Sequence, residues 1–157
     1  MDLADLDAQL QALVDNAPQD GTTPQLVAAI APALRRLASQ LKHSQYYVVQ
    51  LLDENWVVTV VASRTQADVD RHLIYAFPTL ADVSIGSSFV KDPNMIALPV
   101  PTANILFQLA AMEGVDSVIF FEVPGQPLTG TEIRRVDLQM LIQEQLRQHS
   151  ELPPDIA

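Results

Sequence analysis

The chain reads as a single mixed α/β domain: a sheet of about five strands, helices packed on both of its faces, and a two-helix segment at the N-terminus. Three observations point there. Apolar residues recur at helical spacing through the first 43 residues, then give way to short runs rich in β-branched and aromatic residues, and from residue 79 those runs alternate with further helical patterns. Within the runs both alternating faces are apolar, with Trp56, Val58 and Val60 on one side and Val57 and Val61 on the other, as in a sheet covered twice. A length of 157 residues, 48% of them hydrophobic, suits one domain over residues 1–150 with a core that needs no disulfide or metal.

Leu3, Leu6, Leu10 and Leu13 predict an amphipathic helix over residues 3–15, ended by Asn16-Ala17-Pro18. Thr22 or Thr23 caps a second helix with Pro24 in its first turn, and Leu26, Ile30, Leu34, Leu37 and Leu41 form its stripe. Pro32 removes a hydrogen bond and predicts a kink or break over residues 28–32. Residues 46–52 and 56–62 read as a hairpin around Asp53-Glu54-Asn55, and residues 71–77 as a third strand. A helical turn follows at 79–83. A short strand at 95–98 is closed by Pro99 and Pro101, and the prolines mark it as a sheet edge. Thr102 caps a helix over 103–113, with Gly114 as its left-handed stop. Strands at 118–122 and 131–134, a helix from about 136 to 148 and a mobile tail over 151–157 complete the chain.

Composition excludes several functions. Nineteen acidic against nine basic side chains give a net charge of −10, and only two lysines are present, so neither nucleic acid nor an anionic membrane is an expected partner. The absence of cysteine removes disulfides, thiolate metal sites and thiol nucleophiles, and fits a reducing compartment. The first residues have neither a basic nor an apolar signal region, and no apolar run is long enough to span a bilayer, so a cytoplasmic protein is expected.

No linear motif carries catalysis. Asp68, Asp70 and His72 share one face of an extended segment, but no second cluster supplies further ligands, so a solvated strand entrance is expected and no metal or other cofactor. His43 closes the second helix, where an imidazolium favours the negative end of the dipole. The loops at 85–88 and 124–131 lack the glycine pattern of a phosphate cradle, and the paired carboxylates of Asp53 and Glu54 sit solvated at a hairpin tip. A non-enzymatic protein is therefore expected. What remains is surface: Tyr47 and Trp56 as aromatic anchors, and Met95, Ile96 and Leu98 as an edge, are the candidate residues for holding a partner segment, with a basic partner favoured by charge. A small-molecule sensor is the alternative.

From Tyr46 onward the order of elements resembles the N-terminal domain of the SseB family. The segments that carry the likeness are Tyr46-Tyr47-Val48-Val49, residues 75–82, residues 101–112 leading into Val118-Ile119-Phe120-Phe121, and residues 132–138. The likeness does not extend to that family's C-terminal domain. Size, acidity, the leading helices and the lack of cysteine also resemble the small cyanobacterial proteins that include CcmS. That resemblance implies an assembly chaperone for β-carboxysome shell proteins, binding the shell protein's C-terminal tail; the chain itself is expected to be a monomer or weak dimer.

Overall fold

A computed structural model describes residues 2–62, 70–86, 93–126 and 129–151. Helix α1 (Leu3–Asp15) starts where Asp2 accepts the Ala4 N–H, and buries Leu6 and Leu10. Helix α2 (Thr23–Ala38) has Pro24 in its first turn and Thr22 at its N-cap position, but the Thr22 side chain makes no capping bond. Asp20 accepts the backbone N–H groups of Thr22 and Thr23 at 2.9 and 2.7 Å and also both hydroxyls. These bonds, the Thr23 hydroxyl foremost, hold the Asp20 carboxyl well below the usual carboxylate range. The expected break at Pro32 does not occur. Val27 before the proline and Ala33 and Leu34 after it are all buried, so both halves are fixed to one bed. Leu26 is turned outward and Val27 takes its place in the core.

Among the described residues the sheet has six strands: β1 (Gln45–Leu51), β2 (Thr59–Ala62), β3 (Asp70–Phe77), β4 (Met95–Pro101), β5 (Ser117–Phe121) and β6 (Gly130–Arg134). Their order is β4-β1-β3-β5-β6, with β2 also on β3; β3 and β5 are parallel and every other pair is antiparallel. The predicted hairpin forms only at its tip. Leu51 N–H reaches the Asn55 carbonyl at 2.7 Å, Glu54 takes a left-handed φ of 72°, and Gln50 bridges Trp56. The chain then leaves β1. Because β1 pairs with β3 only at Ala76 and Phe77, the other half of that β3 edge is free to receive β2 at residues 70–73.

Helix distribution is unequal. Helices α1, α2, α4 (Thr102–Ala111) and α5 (Arg135–Glu151) pack on one another over the first face, where Tyr46, Val48, Ile74, Ala76, Val118 and Phe120 form the core with Leu34, Leu106, Leu109 and Leu138. Among the described residues the second face receives only α3 (Leu80–Gly86), through Val83 against Val49 and Phe77. Tyr75, Phe77 and Phe121 cluster there at centroid distances of 5.2–6.4 Å.

Two further caps differ from expectation. Thr102 is buried and donates its hydroxyl to the His43 carbonyl, so the α4 terminus is capped by Gln9 of α1, whose Oε1 accepts the Ala103 N–H at 3.1 Å. Gly114 does not adopt a left-handed φ; among the described glycines Gly21 and Gly125 do.

Candidate functional site

β4 ends the strand path and, among the described residues, pairs with β1 alone. Antiparallel pairing alternates bonds toward and away from the partner, and the flanking bonds fix the phase. Leu52 N–H donates to the Asn94 carbonyl at 3.1 Å and Thr102 N–H to the Ser44 carbonyl at 3.0 Å. With the register Gln50↔Ile96, Val48↔Leu98 and Tyr46↔Val100, residues 96, 98 and 100 therefore bond inward to β1. Met95, Ala97, Pro99 and Pro101 direct their backbone groups outward. The prolines expected to close the strand after Leu98 instead lie inside it, at positions where a missing N–H costs the ladder nothing.

The resulting edge is asymmetric. Its outward carbonyls are those of residues 95, 97, 99 and 101, but its outward donors are only the N–H groups of Met95 and Ala97. No charged side chain lies within the strand. Ile96 is 48% exposed on the first face, with Leu98 and Val100 half-buried beside it. The turn carrying Asp53 and Glu54, both exposed, stands against the donor-bearing end through the Leu52–Asn94 bond.

Of the predicted partner-binding residues, Met95, Ile96 and Leu98 lie on this edge, but they do not share a face. Met95 stands with Tyr47 on the second face, where both pack beside Val49 and Phe77. Ile96 and Leu98 point to the first face. Trp56 bridges Gln50, across β1 from Ile96, and packs half-buried against the main core. The two aromatic anchors are thus separated by the sheet, and each is committed to a core cluster.

A buried polar group escaped sequence reasoning. Glu122, 5% exposed, accepts the Tyr46 hydroxyl on one carboxylate oxygen and the Lys42 N–H on the other at 2.8 Å. His43 Nε2 bonds the Glu122 carbonyl at 2.7 Å, and His43 N–H donates to the Tyr46 oxygen at 3.3 Å. His43 therefore does not close α2, which ends five residues earlier; it ties the following loop to the end of β5. Burial, reinforced by the hydrogen bond to the Glu122 carboxylate and by its charge, pushes the Tyr46 phenol far above the usual range. With Tyr46 fully buried, its bond to Glu122 anchors β1 to the end of β5, behind the β4 edge. No periodicity signals a bond across 76 residues.

Asp82 plays a similar part on the second face. It accepts the Thr79 hydroxyl and, at 2.6 Å, the N–H of Gly125, pinning the β5–β6 turn to α3. Of the alternating trio, Asp68 lies outside the described residues. His72 donates its backbone N–H to Asp116 at 2.8 Å and holds its ring 3.7 Å from the same carboxylate. Among the described residues no three His, Asp or Glu side chains converge for a metal, and no helix is long and apolar enough to cross a membrane.

The helical layer carries an apolar trough of about 410 Å³ between α2, α4 and α5, lined by Leu26, Val27, Ile30, Phe107, Ile142 and Leu146. Compared with protein-family models, with curated proteins and with solved structures, the chain matches none.

Proposed function

We propose that the protein is a non-enzymatic adaptor or assembly chaperone that holds an extended segment of a partner protein against β4. The observation that carries this reading is the edge itself: a seven-residue terminal strand, uncharged and apolar, with an unpaired ladder along its outer side among the described residues. Strand addition to such an edge supplies affinity through backbone bonds and selectivity through alternate side chains. The resemblance to the CcmS-like proteins makes a shell protein's C-terminal tail the natural candidate segment, acting in the cytoplasm. The polar cluster around Glu122 supports a binding rather than a catalytic role, since its groups are engaged with one another and its Tyr46 and Glu122 side chains are buried.

A photo-cross-linking residue at position 96 tests the reading in cells, with position 140, exposed on α5, as the control site. A stoichiometric partner cross-linked from position 96 and not from 140 is the expected result. Absence of any partner from position 96 removes the reading. Mixing the protein with a carboxysome shell protein, with and without its C-terminal tail, tests the narrower assignment; binding lost with the tail supports it.

The trough between α2, α4 and α5 favours a second reading, a small-molecule sensor. Its wall is apolar, with Thr23, Gln139 and Gln143 as the polar side chains that orient a ligand. A metabolite that raises the melting temperature and loses that effect on Val27→Phe supports the sensor instead.

A further inference from the structure

Resting on the proposed docking at β4, we infer that the occupant is a short apolar strand that pairs antiparallel with the Met95–Ala97 half of the edge and carries arginine or lysine just beyond its C-terminal end. Three features converge on that chemistry. The prolines leave N–H donors only at Met95 and Ala97, so full two-way bonding is confined to that half, while Pro99 and Pro101 offer carbonyls alone. Antiparallel pairing lets Met95 and Ala97 each exchange two bonds with the residue opposite, whereas parallel bonds are slanted and slightly weaker. A strand running antiparallel to β4 leaves past Met95, toward the end of the sheet that holds the exposed turn of Asp53 and Glu54, one strand further in on β1. The net charge of −10 adds a long-range attraction for the same basic end.

The alternation of the edge sets the side-chain pattern. Residues of the incoming strand opposite Ile96 and Leu98 lie on the first face, where half-exposed apolar surface waits to be covered. Those opposite Met95 and Ala97 lie on the second face, beside Tyr47 and Val49. Apolar residues are therefore expected on both sides of the segment, with charge confined to its end. Charge also argues against a second copy of the chain as the occupant, because two chains of net charge −10 repel at long range.

The test uses two amidated, fluorescently labelled peptides, each with six alternating valines and alanines, ending in Arg-Arg or in Glu-Glu. Fluorescence anisotropy reads their binding to the full chain. The Arg-Arg peptide is expected to bind, and the Glu-Glu peptide at least about fivefold more weakly. Ala97→Pro, which deletes an outward donor, is expected to weaken binding about tenfold. Pro99→Ala, which adds a third donor, is expected to tighten binding several-fold, a gain that misfolding does not imitate. Joint replacement Asp53→Asn with Glu54→Gln should erase the preference between the two peptides. Equal binding of both peptides to the parent chain overturns the basic end. Unchanged binding by Ala97→Pro and Pro99→Ala overturns the register. If position 96 captures a partner in cells yet neither peptide binds, this inference fails while the docking reading stands. Cross-linking of two copies through position 96 overturns the choice of occupant.

Discussion

The two ends of the sheet protect themselves by different means. At β6 the bonds from Arg135 N–H to the Asp116 carbonyl and from Glu122 N–H to the Thr129 carbonyl set the phase, so Gly130, Glu132 and Arg134 face outward with all their N–H groups. Two of those three carry charge, and Glu132 is tied to Arg71 and to the Ser117 hydroxyl. At β4 charge is absent and the block is proline, applied to one half of the strand. Charged side chains discourage any strand along the whole edge, while prolines remove donors only where they stand. The first device closes an edge. The second leaves a defined opening, at Met95 and Ala97, and that difference is the basis for assigning the partner to β4.

The largest effect expected from breaking this pattern lies within β4. Leu98→Pro removes a bond directed inward to Val48 and should cost about 3 kcal/mol or more in chemical denaturation. Ala97→Pro, one residue away but outward, should stay within about 1 kcal/mol of the parent. Similar losses for the two would mean that the assigned phase of the strand is wrong.

Next in size is the anchor behind the edge. Tyr46→Phe leaves a buried Glu122 oxygen without its donor and should cost about 1–3 kcal/mol. It should also change the alkaline limb. The folded phenol is held above its ordinary value of 10.0, so it stabilises the fold below pH 10, and the gain is lost as pH rises past that value and the unfolded tyrosine ionises. The variant should lose that part of the decline, measured as melting temperature from pH 8 to 11.

The smallest change in stability, about 1 kcal/mol, is expected for Glu132→Val, which removes the ion pair to Arg71 and the acceptor for Ser117. Its informative consequence is association. An uncharged β6 should begin to self-associate in sedimentation velocity, whereas the parent should not.

Much of this fold was legible in the sequence because its signals are local. The leucine spacing defined α1, β-branched runs located five of the strands, and prolines marked residues 95–98 as an edge. What failed depended on distant residues. Gln9 caps a helix 94 residues away, and no propensity of Thr102 announces that. Asp20 outcompetes the threonines it precedes, because one carboxylate accepts both N–H groups and both hydroxyls. β2 deserted its local partner because a vacant stretch of β3 was available. The candidate site was half legible. Pro99 and Pro101, two residues apart, already imply that odd positions face outward if the strand is an edge. The faces taken by Tyr47 and Trp56 depend on pairing with β4 and on the turn at 52–55, which adjacent sequence does not encode.

The most direct test of the central claim is backbone amide exchange followed by NMR, with and without the Arg-Arg peptide. In the free protein the Met95 and Ala97 amides should exchange quickly and those of Ile96, Leu98 and Val100 slowly. On binding, Met95 and Ala97 should become protected, while Gly130, Glu132 and Arg134 keep their free rates. Protection that appears at β6, or at the trough between α2, α4 and α5, with Met95 and Ala97 unchanged would contradict the account.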